Sequence, residues 1–547
     1  MGCRCPAYAR DSRSRTDPDG LAPIESRAFI YLEMGKQGAD PVSRARIDLR
    51  RNGLQLGVKS PAILTDVTEY RAMTTDSHFL DWTKREEHAE RMVPLIGQLY
   101  RERSVITTIY GKPLQHQPPI QIIKAHKYAR KFDGQTAINM AESEAVLRRM
   151  TALDLAPARI DVGKLVSAAR QAGSDLIDFV DRTLSDISHH PTGPSEPADV
   201  VLYGFGRIGR LLARMLVNKV GGGQKARLRA VVVRPKGGED LARRASLLRR
   251  DSVHGPFEGS IDLDRENNEF IINGNRVKLL YANAPNEIDY TAHGINNAVI
   301  IDNTGKWRDR AGLSLHLEAP GAAQVLLTAP GKGDIPNIVF GVNHDAALAG
   351  ETIYSAASCT TNAVVPPLAV IDDAFGIESG HIESVHAFTN DQNLTDNYHP
   401  KARRNRSAAM NMVITTTGAA SAAAKALPGL AGKLTASAIR VPTPNVSLAI
   451  LNLNLANAVD RETLNECLRK SSMNGALQNQ IDWTAAPDVV SIDQVGNDHA
   501  SIIDATATIV DGKKAVVYAW YDNEYGYSAQ CIRLMVQMIG LQRPSLP

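Results

Sequence analysis

The sequence predicts an α/β chain built on a doubly wound parallel sheet, with a small helical domain ahead of it. Three observations carry this expectation. Apolar residues recur at helical spacings from about 76 to 188, strands and helices alternate from Asp199 onwards, and a glycine turn separates the first of these strands from its helix. At 547 residues the chain is too long for one core and fits about three domains of roughly 150 residues each.

Residues 1–72 are rich in Arg, Asp, Ser and Gly and lack sustained periodicity. They are read as a disordered leader or as lying outside the natural product, with Met73 as its start. The helical domain spans 73–188. Met92, Leu95, Ile96 and Leu99 form one apolar stripe; Leu147, Met150 and Leu153 form a second; Leu176, Phe179, Val180 and Leu184 form a third, with Ser174 as N-cap. Its histidines and basic residues read as a solvated surface. The stretch 189–198 is a linker, because the prolines and glycine of His189-His-Pro-Thr-Gly-Pro-Ser-Glu-Pro197 cannot continue a helix.

Asp199–Leu202 then reads as a buried strand, Ile208–Lys219 as a helix and Leu228–Val233 as the next strand. Further apolar runs follow at Ala298–Ile301 and Val325–Leu327. Between the first strand and its helix, Gly204, Gly206 and Gly209 give G-x-G-x-x-G, so 199–358 is expected to be a Rossmann dinucleotide-binding domain. The glycines permit a tight turn and close backbone approach, which lets a pyrophosphate rest on the helix N-terminus. Sites that bind NAD usually carry a carboxylate at the end of the second strand for the ribose hydroxyls. Here Val231-Val-Val-Arg-Pro-Lys236 has no acid, and Arg234 and Lys236 could pair with a 2′-phosphate. NADP is therefore favoured over NAD.

A net charge of +3 is small for this length and gives no argument for nucleic acid or a membrane as partner. No apolar run is long enough to cross a bilayer, and the charged start lacks the apolar stretch of a secretion signal. Pro6 breaks the myristoylation pattern. The five cysteines are scattered and suggest no disulfide framework, and Cys3 and Cys5 lack the second pair that a zinc site needs, so no metal is expected. A cytoplasmic setting suits a thiol that must stay reduced.

That thiol is Cys359, in Ser355-Ala-Ala-Ser-Cys-Thr-Thr-Asn362, with His386 following 27 residues later. A nucleophile that can hold an acyl group, a base and a hydride acceptor imply aldehyde oxidation through a thioester. The polar neighbours Ser358, Thr360, Thr361 and Asn362 suit a site better than an apolar core. A helix starting just after Cys359 would lower the thiol pKa and favour a thiolate–imidazolium pair with His386. Thr415-Thr-Thr-Gly-Ala-Ala420 offers hydroxyls and backbone N–H groups, and Arg440 offers a planar guanidinium. Of Arg403, Arg404 and Arg406, only Arg406 is expected to point inward. Together these predict a phosphorylated substrate.

At these residues the chain resembles phosphorylating glyceraldehyde-3-phosphate dehydrogenase, over about 199 to 540. The resemblance runs through the glycine turn, Asp251-Ser-Val-His-Gly255, Thr304-Gly305, Thr328-Ala-Pro330, Ser358-Cys-Thr-Thr-Asn362, His386, Thr415–Ala420, Arg440–Ser447 and Trp520-Tyr-Asp-Asn-Glu-Tyr-Gly-Tyr-Ser528. The N-terminal extension is similar to that of the long bacterial form. The resemblance implies an α+β catalytic domain over 359–520 and a segment 521–547 whose helix packs back on the dinucleotide domain. It implies a homotetramer and the reversible conversion of D-glyceraldehyde 3-phosphate and inorganic phosphate to 1,3-bisphosphoglycerate. Cys359 would attack, His386 would act as base, and Thr389 and Arg440 would hold the substrate phosphate. Ser358, Thr417, Gly418 and Arg406 would hold the attacking phosphate, with Thr360 beside them. Arg207, Ile208, Thr328 and Asn523 would contact the dinucleotide. Ala356 replaces the family's usual Asn and Ala363 its second Cys, while Asn397-Tyr398 replaces the Leu-Pro common in NAD-dependent members. The last change also points to NADP or dual use. Erythrose-4-phosphate dehydrogenase shares nearly all these motifs, and a catalytically silent NAD(P)-sensing scaffold is the reading from another class.

Overall fold

In the computed structural model, residues 62–130, 138–187, 197–219, 226–347, 350–541 and 544–547 are described. The reading of 1–72 as a leader lies outside them up to residue 61, as does most of the proline-rich linker. The first helix, Ala62–Arg103, starts ahead of the Met73 boundary.

The strand Ala198–Tyr203 forms where the sequence alternates least, because both of its faces are covered. It is central in an eight-stranded sheet. On one side it pairs in parallel with Ala226–Val233, which pairs with Asn275–Tyr281; on the other lie Ala298–Asp302, Ala322–Leu327 and Ile353–Ser355, all parallel. Two antiparallel strands, Glu269–Ile272 and Ile261–Asp264, finish one edge. The strand order reverses at Ala198–Tyr203, and the crevice at such a reversal is where doubly wound sheets bind ligands. The C-terminal helix Tyr525–Met538 joins this core through Tyr527, Cys531, Leu534 and Met535.

The catalytic half is a second eight-stranded sheet. Ile377–Ala387 pairs in parallel with Leu434–Val441, setting His386 directly opposite Arg440. Ser447–Leu455 and Lys514–Tyr521 continue the sheet, with Ser447 opposite Tyr521. Sheet register thus gathers residues that are far apart in sequence.

The extension is not purely helical. Its three predicted stripes do pack into one core around Met92, Leu147, Met150 and Val180. Beside that core lies a four-stranded sheet of Lys112–Pro113, Ile106–Ile109, Arg159–Asp161 and Ser545–Leu546. Its last strand comes from the far end of the sequence and pairs in parallel with Arg159–Asp161. The N-cap of the Leu176–Leu184 helix is Asp175 and not Ser174: its carboxylate accepts from Ile177 and Asp178 N–H. No helix among the described residues is long and apolar enough to cross a membrane.

Candidate active site

Cys359 is the first residue of the helix Cys359–Phe375, and Ser358 caps it by accepting the Thr361 N–H at 3.0 Å. Asn362 donates its amide back to the carbonyls of Ala356 and Ser358, at 2.8 and 2.9 Å. Between them Ala357 takes φ +55°, a left-handed conformation uncommon outside glycine. This strained turn aims the thiol out of the helix start towards the catalytic sheet.

Cys359 Sγ lies 3.4 Å from His386 Nε2. His386 Nδ1 sits 2.7 Å from the Ala387 carbonyl; in the tautomer that donates Nδ1–H there, Nε2 is the acceptor towards the thiol. Arg440 Nη1 donates to the same carbonyl at 2.9 Å and approaches Nδ1 to 2.5 Å. Beneath them the Tyr521 hydroxyl joins Thr360 Oγ1 and Ser384 Oγ at 3.1 and 2.9 Å. Its ring meets the imidazole edge-on.

Burial works against the thiolate–imidazolium pair expected from sequence. Burial, with Arg440 and Arg404 adding positive charge, pushes His386 down to about 3. Burial pushes the Cys359 thiol up, and Arg440 and the Thr360 hydrogen bonds only partly offset it. Both shifts favour the neutral thiol and the neutral imidazole. For the thiol, desolvation outweighs the nearby cation and the hydrogen bonds that favour the thiolate.

The arginine expectation is also corrected. Arg406 faces solvent and pairs with Asp396 at 2.8 Å, whereas Arg404 is buried and donates to Thr415 Oγ1 at 3.0 Å. A short 3-10 turn, Ala402–Asn405, decides which side chain faces in. The Nε groups of Arg404 and Arg440 are buried and find no hydrogen-bond partner among the described residues. Buried donors without acceptors are costly, and an anion would satisfy them. Thr389 follows His386 just past its strand end and is half-buried. Thr417 and Gly418 stand at the start of the Ala419–Ala426 helix, beside a cavity of about 440 Å³ shared with Ser421 and Leu434. No hydrogen bond among the described residues joins Thr389, Thr417 or Gly418 to Cys359 or His386.

At the glycine turn, Gly204 has φ +102°, and a Cβ on Gly209 would lie 2.4 Å from the Gly204 carbonyl. A Cβ on Gly206 would meet nothing, so that position opens to solvent where a pyrophosphate would approach. These residues fit a dinucleotide. Ile208 follows in the first turn of the helix. The Arg207 guanidinium is committed to Asp251 and Glu524, which leaves its backbone N–H at the helix start to face a ligand. Thr328 Oγ1 donates to Asp302 O at 3.1 Å, at the crevice. Asn523 is buried, and its Oδ1 accepts from Ser447 Oγ at 2.8 Å, leaving the amide nitrogen to donate. Arg234 and Lys236 are exposed just past the second strand, and among the described residues neither pairs with a carboxylate.

Sequence reasoning gave no role to Tyr521, Ser384, Ser447 or the strained Ala357, and turned Arg404 outward. The first three become visible only through strand register.

Comparison with known proteins agrees with this geometry. The family profile for the glyceraldehyde 3-phosphate dehydrogenase NAD-binding domain matches residues 198–310, and that for its C-terminal domain matches 358–523. A glyceraldehyde-3-phosphate dehydrogenase-like protein of Pseudomonas aeruginosa (strain UCBPP-PA14) is 54% identical over 460 residues, 83% of this chain and 100% of its own. That match is longer than the stretch from 198 to 547, so it takes in much of the extension. The glyceraldehyde-3-phosphate dehydrogenase of P. aeruginosa (strain PAO1) is 39% identical over 329 residues, 60% of this chain and 94% of its own. Glyceraldehyde-3-phosphate dehydrogenase 2 of Bacillus subtilis (strain 168) is 39% identical over 343 residues, 61% of this chain and 95% of its own. A nucleophile and base at hydrogen-bond distance, a glycine turn shaped for a dinucleotide and these matches lead to one assignment: the chain belongs to the glyceraldehyde-3-phosphate dehydrogenase family.

Proposed function

We propose that the protein is a phosphorylating enzyme that converts D-glyceraldehyde 3-phosphate and inorganic phosphate to 1,3-bisphosphoglycerate through a thioester on Cys359. The observation that carries this is the 3.4 Å Cys359–His386 contact beside two buried guanidinium groups with unfilled N–H donors. Arg404 pairs with Asp391, so Arg440 is the guanidinium that awaits an anion, as the thiol awaits a carbonyl. A bound nicotinamide dinucleotide supplies one thing, the acceptor for the aldehyde's hydride.

The sulfur of Cys359 adds to the aldehyde carbon, its proton passing by way of His386 Nε2 to the carbonyl oxygen to give a hemithioacetal. His386, neutral again, takes the hydroxyl proton as the C–H hydrogen leaves as hydride, and a thioester remains. A phosphate oxygen then adds to the thioester carbon and expels the sulfur, which recovers its proton from His386. Arg440 links binding to chemistry. A substrate phosphate on its guanidinium offsets the positive charge that depresses His386, so the base strengthens when substrate arrives.

Arg234 and Lys236, at the strand end and without a carboxylate partner among the described residues, support a preference for NADP. The exposed apolar side chains Leu394, Tyr398, Met410, Met412 and Ile414 on one segment support assembly into a homotetramer, which light scattering would measure. A reduced cytoplasmic setting fits the free thiol of Cys359.

The deciding experiment follows formation of reduced nicotinamide by the purified protein with phosphate and either glyceraldehyde 3-phosphate or erythrose 4-phosphate, using NAD and NADP in turn. The proposal expects the three-carbon aldehyde to give the higher kcat/KM, dependent on phosphate. Faster turnover of the four-carbon aldehyde would reassign the substrate, and no turnover of either would favour the sensing role.

A further inference from the structure

The extension meets the catalytic domain at two places: Lys164 Nζ donates to the Met473 carbonyl and Gln478 Oε1, and a buried carboxylate, Asp482, takes the other contacts. Asp482, on the strand Ile481–Thr484, is held by two extension side chains: Lys112 Nζ donates to its Oδ2 at 3.0 Å and the Tyr128 hydroxyl to its Oδ1 at 3.0 Å. Lys112 also stands over the Tyr128 ring, 4.7 Å from its centre. Burial alone would raise the Asp482 carboxyl, but Lys112, His499 and the Asn497 amide outweigh it and hold it far below the usual carboxylate range. The carboxylate is therefore ionised and fixed in place.

From Asp482 the contacts continue towards the dinucleotide site. Asn497 Nδ2 donates to Asp482 Oδ2 at 2.9 Å, and Asn497 Oδ1 accepts from the His499 N–H at 3.1 Å. This closes the turn 496–499. On its other side the Gly496 N–H donates to Asp522 Oδ2 at 2.9 Å. The carbonyls of Asn497 and His499 press on Gly526, where a Cβ would lie 3.1 and 2.6 Å from them. Asp522 immediately precedes Asn523, whose carbonyl oxygen is pinned by Ser447 and whose amide nitrogen is left to the ligand.

We propose that Lys112, Tyr128, Asp482 and Asn497 form a positioning relay by which the N-terminal extension sets the Asp522–Asn523 corner for the nicotinamide end of the dinucleotide. Each link is a short hydrogen bond to a buried or half-buried group, so a change at Lys112 or Tyr128 shifts the turn and not merely a surface. None of these residues touches substrate. They act through Asn523, and the inference rests on the dinucleotide site described above.

The test is dinucleotide affinity by titration calorimetry on the full-length protein, which needs no turnover and so stands apart from the proposed reaction. Tyr128→Phe keeps the ring and removes the hydroxyl; Asn497→Ala removes the next link. Each is expected to raise the dinucleotide Kd roughly three- to tenfold. The double variant should be no weaker than Asn497→Ala alone, because the two lie on one path. The KM for aldehyde should stay put. Val146→Ala, which hollows the extension's core away from the relay, is the control and should lower Tm while leaving Kd unchanged. Wild-type Kd in Tyr128→Phe, additive losses in the double variant, or an equal loss in Val146→Ala would each overturn the proposal. A wild-type protein that binds dinucleotide without oxidising aldehyde would instead overturn the reaction and leave the relay standing.

Discussion

Two buried centres in this molecule are built in opposite ways. At Asp482 the carboxylate receives Lys112, Tyr128, Asn497 and its neighbour's backbone N–H, so its lone pairs are spoken for. Around Cys359 burial favours the neutral thiol and imidazole, and Arg404 and Arg440 each carry a buried N–H with no acceptor among the described residues. A completed network specifies geometry, whereas an incomplete one reserves free energy for a ligand. The difference separates the place where the molecule is joined from the place where it acts.

The comparison can be broken most sharply at the thiol. Cys359→Ala should cut turnover by about 10⁴-fold or more while leaving dinucleotide binding intact, read by steady-state rates beside calorimetry. Wild-type-like turnover would remove the thioester from the mechanism. Next comes Arg440→Leu, which should lower kcat/KM for the aldehyde roughly 10²-fold and also shift the rate profile, since His386 loses its repelling neighbour. At the completed centre, Lys112→Met leaves a buried carboxylate without its cation and should cost about 3 kcal/mol, measured by denaturant unfolding. A neutral outcome would show that water replaces the ammonium. Arg234→Ala should reduce any preference for NADP about tenfold and leave NAD kinetics nearly unchanged.

The smallest effect is a pH slope. Burial holds His386 at about 3 and His499 at about 4, both below the ordinary histidine value near 6.5. The unfolded chain therefore binds more protons as pH falls through about 6.5, and the stability these groups contribute, present above that pH, is lost below it. His254 runs the other way. Asp522, Glu524 and Asp251 outweigh the burial that would lower it, so its contribution is full at low pH and fades as pH rises through its raised value. Burial lowers His126 as well, so with three histidines against one, Tm should drop by a few degrees between pH 7.5 and 5. His499→Gln should make that slope shallower.

What the sequence revealed follows the same division. The glycine turn, Cys359, His386 and the helical stripes were legible because each is written locally, in spacing or in a compact motif. Arg406 was misplaced because a four-residue turn, not composition, decides that Arg404 faces inward. The extension's strands went unseen: they run two to four residues, too short for alternation to show, and the partner Ser545–Leu546 lies at the other end of the sequence. Asp482 gave no signal at all. An acid between Ile481 and Trp483 looks like an ordinary edge-strand residue until Lys112 and Tyr128 arrive from elsewhere in the chain.

The parallel pairing of Ser545–Leu546 with Arg159–Asp161 imposes an order on biosynthesis. A ribosome delivers the extension first, and domains generally begin to fold as they emerge. Yet the extension's small sheet stays one strand short throughout translation of both dehydrogenase domains, its edge held open until 545–546 are made. A region made before both dehydrogenase domains is thus finished after them, and its completion reports that everything between has already been synthesised.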